Sequence, residues 1–384
     1  MNIAIIAVAY NRVDSLSRLL SSLKRAYYED PEITLIISID KSKTNSVELF
    51  ADSFHWPYGK KIVDKHRHNL GLKQHMFSLG KWFNEYDALI ILEDDVVVAE
   101  SYYSYVKHSV QKYSECDSIA GISLYSYSIN YQTNRPFCPL KDKNDVYFMN
   151  CAMSWGQVWM RDSWLFFYQW YQEHKSFTNT QHLPSCLTNW GDKSWLKYHT
   201  RYCIENNKFF VYPYVALSTN FSDAGVHNDG LTNTTYQVQL QSGFKKDYKL
   251  PAWGESAVYY DGFFENLALY DFLRLTKEEL CIDLCGEQNN RAHKRYWLTT
   301  KICNYKILKS YGLNYRPIEI NILLNNAGKQ IFLYDTFSSQ KNLVTDNRTS
   351  YLYPYFLHNI IYLIRNYGLL NLLKDLASII KRRV

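Results

Sequence analysis

Apolar and polar residues alternate with two different periods along the first part of the chain. Short runs rich in Ile, Leu and Val predict buried β-strands at residues 3–9, 33–39, 61–63 and 88–92. Between them, apolar residues recur at helical spacing, which predicts amphipathic helices at residues 13–25 and 72–83. This alternation predicts an α/β fold in which a mainly parallel sheet is covered by helices on both faces.

The later part of the chain predicts further units. Residues 101–227 contain no linker-like run of Pro, Gly or Ser, so we expect them to complete the first domain. After a turn-rich stretch, apolar runs at 318–324 and 330–334 flank Asn325-Asn326-Ala327-Gly328 and predict a β-hairpin. The expected organisation is an α/β domain at 1–235, a smaller α+β accessory region at 236–354 and an amphipathic, basic helical tail at 355–384.

Composition restricts the class of protein. The chain has 384 residues, more than one hydrophobic core usually organises, and its 47% hydrophobic and 21% charged residues are typical of globular proteins. The excess of 43 basic over 37 acidic residues is too small to indicate nucleic acid as a partner. The eight cysteines form no Cys-x-x-Cys pair, which favours free thiols over a zinc site. Because the first residues predict a strand and not a signal peptide, we expect a cytoplasmic protein that begins at Met1.

Three consecutive acids follow the apolar strand at 88–92. Glu93, Asp94 and Asp95 stand at its carboxyl end, the edge where ligands bind in parallel α/β sheets. Neighbouring carboxylates repel each other, so a cation or several hydroxyl groups would have to neutralise the cluster. Acidic triplets are also common on solvated surfaces, but the apolar strand before this one favours a functional role.

Two common nucleotide-binding motifs are missing from the sequence. Ala9-Tyr10-Asn11-Arg12 stands where a dinucleotide-binding domain has Gly-x-Gly-x-x-Gly, and no Gly-x-x-x-x-Gly-Lys-Ser/Thr occurs. These observations exclude Rossmann oxidoreductases and P-loop NTPases. A diphosphate that is bound without a glycine-rich loop needs another counter-charge, and a divalent cation on a carboxylate is the simplest one.

Four segments together resemble nucleotide-sugar glycosyltransferases of the GT-A fold, including the bacterial family 2-type enzymes. They are Val8-Ala9-Tyr10-Asn11-Arg12, Ile39-Asp40, Asn69-Leu70-Gly71-Leu72, and Ile91-Leu92-Glu93-Asp94-Asp95 with the residues that follow to Tyr105. Within that fold, the last segment resembles most closely the N-acetylglucosaminyltransferase I family. The resemblance covers residues 2–228 and implies a GT-A catalytic domain that uses a UDP-sugar as donor.

The resemblance also implies roles for individual residues. Asp95 would bind the metal of the sugar-diphosphate, Mn²⁺ or Mg²⁺, while Glu93 and Asp94 would contact the donor. Nucleotide contacts are implied for three residues that follow the first two strands, namely Tyr10, Arg12 and Asp40. For Arg12 the alternative is a solvated loop charge.

A second acidic segment and a late histidine complete the candidate set. Trp190-Gly191-Asp192-Lys193-Ser194-Trp195 places one carboxylate between two indoles, which would limit its solvation, as suits a general base. The resemblance implies that Asp192 is the catalytic base, and a helix N-cap is the structural alternative. His227 is a candidate metal or diphosphate ligand, or else a loop histidine. Trp155 and Trp159 would wall the acceptor site or pack in the core.

These assignments predict an inverting, metal-dependent glycosyltransferase. The expected reaction moves a sugar from a UDP-sugar to a hydroxyl group of a glycan or lipid-linked acceptor, in the synthesis of bacterial surface polysaccharide. Two alternatives stay open. One is a non-catalytic carbohydrate-binding protein that keeps the fold, and the other is a sugar nucleotidyltransferase, although that class usually has a glycine-rich loop after its first strand.

The carboxyl-terminal stretch from residue 355 is apolar and ends in Lys381-Arg382-Arg383. Arg365, Lys374 and Asp375 interrupt it, so it falls short of the roughly 20 apolar residues that a spanning helix needs. Polar positions before and after Gly368 would fall on opposite sides of one helix, which predicts two short helices joined there. We expect this tail to lie on an anionic membrane surface, and its packing on the accessory region is the alternative.

Overall fold

The computed structural model describes residues 1–178, 180–221, 223, 234–256, 258–288, 293–343, 356–374 and 377. The β-strands in these residues are β1 (Ile3–Ala9), β2 (Thr34–Ile39), β3 (Lys61–Lys65), β4 (Ala88–Glu93), β5 (Val96–Val98), β6 (Ile119–Ser123), β7 (Ile129–Asn130), β8 (Arg135–Pro136), β9 (Val146–Met149), β10 (Gln157–Met160), β11 (Phe209–Pro213), β12 (Ser218–Asn220), β13 (Tyr259–Tyr260), β14 (Leu280–Asp283), β15 (Tyr296–Thr299), β16 (Tyr305–Tyr311) and β17 (Ile331–Ser339). The α-helices there are α1 (Val13–Lys24), α2 (Ser46–Ser53), α3 (Gly71–Ser78), α4 (Tyr102–Tyr113), α5 (Arg161–Glu173), α6 (Ser185–Asn189), α7 (Leu196–Glu205), α8 (Ala268–Leu273), α9 (Ile320–Leu323) and α10 (Phe356–Tyr367).

One large mixed sheet organises the first part of the chain. Its strand order is β13-β9-β11-β6-β10-β4-β1-β2-β3. β4, β1, β2 and β3 run parallel, whereas β10 is antiparallel to both β4 and β6. The predicted α/β class and the four predicted strands are therefore confirmed. The helix predicted at 72–83 is α3 followed by a 3-10 helix at Leu79–Asn84.

Each face of this sheet has its own hydrophobic core. On one face, α1 contributes four fully buried leucines at helical spacing, namely Leu16, Leu19, Leu20 and Leu23. Burial of each leucine side chain contributes about 1.5–3 kcal/mol. The other face is rich in aromatic rings, and Trp159 of β10 stacks on Trp164 of α5 with 3.9 Å between ring centroids. The two cores hold the strand ends, and the polar residues that follow them, in fixed positions.

The main sheet continues past residue 235, where the sequence placed a domain boundary. Tyr259–Tyr260 pairs with β9 as the edge strand, and Leu250 and Trp253 pack against the core on the α1 side. The turn-rich stretch that suggested the boundary is followed by residues that still belong to the first core. A polar stretch marks chain at the surface and does not by itself mark a change of core.

A second sheet, in the order β14-β15-β17-β16, has a separate core in the accessory region. The predicted hairpin is wrong in its first strand, because Ile320–Leu323 is helical, whereas the second strand is present as β17. The buried Asn321 side chain accepts hydrogen bonds from the main-chain N–H groups of Asn314 and Tyr315 and donates to the carbonyl of Ile318. These local bonds stabilise a compact turn and override the strand preference of the Ile and Leu residues.

Residues 356–374 of the tail form two helical segments separated at Gly368, as the sequence predicted. α10 ends at Tyr367, Gly368 has a positive φ of 86°, and residues 369–374 are again helical. A positive φ suits glycine and ends the first helix. Among the described residues, no helix has the length and apolar character needed to cross a membrane.

Candidate active site at the carboxyl edge of the main sheet

The strand register brings the predicted polar residues to one edge of the main sheet. In the parallel pairs, Val8 lies opposite Glu93 and Ala9 lies opposite Ile39. The residues that follow β1, β2 and β4 therefore leave the sheet side by side. β2 and β3 follow on one side of β1, whereas β4 lies on its other side, so strand order reverses between β1 and β4. A crevice at such a reversal of strand order is where open α/β sheets bind ligands.

The acidic cluster, which we define as Glu93, Asp94 and Asp95, is only partly compensated by Arg12. Arg12 forms an ion pair with Asp94, and its Nη2 lies 3.4 Å from Oδ2 of Asp95. Burial raises the pKa of Asp94 to about 6, although Arg12 opposes this rise. Burial, with the charges of Asp95 and Asp94, raises the pKa of Glu93 to about 8. One arginine thus faces three carboxyl groups, and the cluster is short of positive charge.

Asp95 has an oxygen atom that the protein leaves unsatisfied. Its Oδ1 is buried and accepts no hydrogen bond from the part of the chain that the structure describes. In that same part, no three His, Cys, Asp or Glu side chains are grouped as a ready-made metal site. One free carboxylate oxygen fits an ion such as Mg²⁺ or Mn²⁺ that takes most of its ligands from substrate phosphates and water. The residues fit a cation that binds with a diphosphate, and not one held by a protein cage.

A fourth carboxylate near the cluster was missed in the sequence. Asp223 accepts a hydrogen bond of 2.6 Å from Ser15 Oγ and forms an ion pair with Arg18, and its charge also contributes to the raised pKa of Asp94. The Arg18 guanidinium lies 3.7 Å from the centroid of the Phe221 ring. The Phe221 N–H donates to the carbonyl of Asp95 at 2.7 Å. Phe221 and Asp223, which follow β12, thus lie close to the cluster. His227 lies outside the described residues.

Asp40 braces the loop beside the cluster. Its side chain is 4% exposed and accepts hydrogen bonds of 2.8–2.9 Å from the main-chain N–H groups of Lys41, Leu70 and Gly71. Gly71 begins α3, so the carboxylate fixes the start of that helix against the end of β2. This geometry supports a positioning role for Asp40, and the direct contact with uridine stays a prediction.

Asp192 is near the same edge, but its surroundings differ from the prediction. Its side chain is fully exposed, 3.4 Å from the buried Nζ of Lys197, and Lys73 of α3 donates to its main-chain carbonyl at 2.7 Å. The expected shielding by two indoles is therefore wrong. Trp195 is buried in the core, whereas Asp192 lies on the turn before α7 and points away from it. No side-chain cap bond forms at α7, so the N-cap alternative is also not observed.

The remaining aromatic candidates separate into core and edge residues. Trp159 is fully buried, so it packs in the core. Trp155 is partly buried, with its ring centroid 5.0 Å from that of Tyr125 and 5.2 Å from that of Tyr236. Tyr10 follows β1 at the carboxyl edge of the main sheet and is 39% exposed. Of these three rings, Tyr10 and Trp155 are therefore the ones available at or near this edge.

Comparison with solved structures finds several similar chains. S. aureus TarS 1–349 in complex with UDP-GlcNAc matches with 13% identity and a TM-score of 0.41, over 60% of this chain and 61% of that one. GalNAc-T7 with UDP, GalNAc and Mn²⁺ matches with 14% identity and a TM-score of 0.36, over 56% and 43%. The mannosyltransferase PcManGT from Pyrobaculum calidifontis, with GDP-Man and Mn²⁺, matches with 9% identity and a TM-score of 0.31, over 42% and 45%. The chain spans less than two thirds of each of these chains. No protein-family model and no curated protein matches it.

Proposed function

We propose that the protein is a metal-dependent glycosyltransferase that moves a sugar from a UDP-sugar to a hydroxyl group of a glycan or lipid-linked acceptor. The observation that carries this proposal is the unsatisfied Oδ1 of Asp95 in a partly buried acidic cluster at the carboxyl edge of the main sheet. A divalent cation shared with a diphosphate would satisfy this oxygen and supply the positive charge that the cluster lacks. The likeness to the GT-A fold and to the N-acetylglucosaminyltransferase I family agrees with this arrangement and stays a prediction.

The residues of the edge would divide the binding of the donor. Asp95 would hold Mn²⁺ or Mg²⁺, which when bound offsets the charge that develops on the departing diphosphate. Arg12, held by Asp94, would orient the donor from the loop after β1. Tyr10 would contact the nucleotide with its exposed ring, and Asp40 would keep the neighbouring loop in place.

Asp192 is the residue that we propose for proton transfer. Its exposed carboxylate is accessible to an acceptor hydroxyl group. The hydrogen bond from Lys73 to its main-chain carbonyl holds this turn against α3. The hydroxyl oxygen would bond to the anomeric carbon as the bond from that carbon to the diphosphate breaks and UDP leaves with the electron pair. Asp192 would accept the hydroxyl proton, and attack opposite the leaving group would invert the anomeric configuration.

The proposal is tested by incubating the purified chain with a panel of nucleotide sugars and candidate acceptors. We expect release of UDP that requires Mn²⁺ or Mg²⁺ and stops when EDTA is added. NMR of the product should show the anomeric configuration opposite to that of the donor. The proposal would be overturned if the chain did not bind UDP and released UDP from none of the UDP-sugars. A product with the anomeric configuration of the donor would overturn inversion alone.

We further propose that the tail brings the enzyme to the cytoplasmic face of a membrane, where lipid-linked acceptors for surface polysaccharide would be available. α10 and the helical residues 369–374 expose large apolar side chains, among them Tyr362 at 65%, Leu370 at 75% and Leu373 at 51%. Exposed amphipathic helices of this kind bind in the interface of a bilayer.

A further inference from the structure

A second cavity lies away from the acidic cluster, between the main sheet and the accessory region. We call it the accessory cavity. It has a volume of about 360 Å³, within the range of roughly 300–1,000 Å³ that small-molecule sites have. Phe137 and Phe264 line it from the side of the main sheet, and Leu284, Leu313 and Ile318 line it from the accessory region. None of these residues belongs to the proposed donor site.

Cationic side chains line the accessory cavity beside its apolar wall. They are Arg135, Lys301 and Arg316. Arg135 is partly buried, and its guanidinium has no ion pair or hydrogen bond within the described residues. Lys301 differs, because its Nζ lies 3.3 Å from Oδ2 of the buried Asp283. A partly buried guanidinium without a counter-charge favours an anionic ligand.

The two acids of the lining do not remove this preference. Glu319 is 3% exposed, and its Oε1 accepts a hydrogen bond of 3.1 Å from Asn266 and another from the Tyr260 hydroxyl. It is therefore engaged with the protein, and burial raises its pKa. Glu287 is the other acid, so the cationic side chains outnumber the acidic ones.

A buried hydrogen-bond donor points to the same kind of ligand. Asn130 lines the accessory cavity and is 3% exposed. Its Oδ1 accepts from the N–H groups of Gln132 at 2.9 Å and Thr133 at 3.3 Å. Its Nδ2 is buried and has no partner in the described part of the chain. Because buried donors in folded proteins are normally paired, an oxygen atom of a ligand is the expected partner.

Aromatic rings connect the accessory cavity with the turn that carries Asp192. The ring of Phe264 lies 5.3 Å from that of Tyr131, and Tyr131 lies 5.9 Å from Trp190. Trp190 precedes Asp192 by two residues. These ring contacts join the wall of the accessory cavity to the turn that carries the proposed base.

We propose that the accessory cavity binds an acidic sugar unit of the acceptor through its carboxylate or phosphate group. Arg135 and Nδ2 of Asn130 would donate hydrogen bonds to the anion, and the cavity wall that includes Phe137 would pack against the sugar ring. The identity of this saccharide as the acceptor rests on the proposed function, whereas the binding of an acidic saccharide does not.

Calorimetric titration of the full chain, without nucleotide or metal, tests the proposal. The probes are a methyl glucuronide, the neutral methyl glucoside, glucose 6-phosphate and inorganic phosphate. We expect the glucuronide or the sugar phosphate to bind at least about 10-fold more tightly than the glucoside, since a charge-assisted hydrogen bond discriminates by that factor or more. Whichever of the two binds more tightly identifies the acidic group. Inorganic phosphate that binds as tightly as glucose 6-phosphate would overturn a saccharide site.

Two variants locate the binding in the cavity. Arg135→Met keeps the aliphatic stem and removes the charge, and Asn130→Asp keeps the acceptor for Gln132 while it replaces the donor by an oxygen. Each should weaken binding of the acidic saccharide by at least about 10-fold. Arg25→Met is the matched control, since Arg25 is exposed at the end of α1, and it should change nothing. Unchanged binding in both cavity variants would overturn the proposal. Saccharide binding in a chain that never binds UDP would instead overturn the proposed function alone.

Discussion

The acidic cluster at the carboxyl edge of the main sheet has more carboxyl groups than positive charges to pair with them. Three adjacent acids, at the end of β4 and in the turn that follows it, face one arginine in the loop after β1. Arg12 is engaged mostly by Asp94, which leaves Asp95 with an unsatisfied oxygen. The difference between the two neighbouring aspartates follows from this pairing. Asp94 holds the arginine, and Asp95 is open to a cation.

Replacement of Asp95 by asparagine tests this division. A neutral amide is a poor ligand for a hard divalent cation, so UDP should bind Asp95→Asn equally well with and without Mn²⁺. The parent chain should bind UDP at least about 10-fold more tightly when Mn²⁺ is present. Isothermal calorimetry measures both affinities. Asp14→Asn, which changes an exposed acid in the first turn of α1, should keep the metal effect. A metal effect that survives in Asp95→Asn would contradict the assignment.

Asp192→Asn should affect turnover and not donor binding. Loss of a general base lowers kcat by roughly 10²- to 10⁴-fold, while UDP affinity in Mn²⁺ should stay that of the parent. Steady-state kinetics with a saturating UDP-sugar measures the change. Lys193→Gln, on the same exposed turn, should retain kcat within about twofold, since it removes no acid or base from the proposed reaction. Parental turnover in Asp192→Asn would place the base elsewhere.

The sequence predicted the acidic cluster because its members are adjacent and follow a clear apolar strand. It did not reveal Asp223, since the contacts of this residue with Ser15 and Arg18 join positions more than 200 apart in the chain. The error at Asp192 has a different cause. Two tryptophans beside an acid in sequence say nothing about which way each side chain points, and here Trp195 enters the core while Asp192 faces water.

At the scale of elements, periodic patterns were most informative where they were long. α1 and the strands of the parallel half were predicted from apolar spacing alone, because their burial follows that spacing. The short run at 318–324 was misread, since a strand and a one-turn helix of Ile and Leu have the same composition. The buried Asn321 decides for the helix through its main-chain hydrogen bonds.

The helices of the tail should bind the full-length protein to anionic membranes. Full-length protein should float with vesicles that contain anionic lipid, and a chain truncated before Tyr355 should stay folded and remain at the bottom of the gradient. In the full chain, Leu370→Gln with Leu373→Gln should reduce flotation, because both side chains are largely exposed and would lose apolar contact with the bilayer. Asn366→Gln, at an exposed polar position of α10, is the control and should float like the parent. Aggregation of the truncated chain would favour a tail that packs on the protein.

The whole molecule combines an aromatic core with two buried histidines, His75 and His199, whose burial favours the neutral ring. His199 of α7 is 1% exposed, and neither ring nitrogen has a hydrogen-bond partner in the described residues. Its ring stacks on Phe167 with 4.1 Å between centroids. Burial lowers the pKa of His199 to about 3, and burial with the charge of His66 lowers that of His75 to about 4. Both residues therefore make the folded state sensitive to acid.

The lowered pKa of His199 makes the free energy of unfolding depend on pH. In the unfolded chain His199 takes up a proton near pH 6.5, whereas in the fold it does so only near pH 3. Between these values the unfolded state binds more protons, so the free energy of unfolding falls as the pH falls, by about 1.4 kcal/mol per pH unit from this residue. His199→Phe should remove that slope, and its stability relative to the parent should grow steadily as the pH is lowered from about 6 to about 4. Urea unfolding at several pH values measures the difference, with His199→Leu as a smaller replacement and the exposed His55→Gln as a control that should follow the parent. A stability difference that does not vary with pH would show that His199 is protonated in the fold as readily as in the unfolded chain.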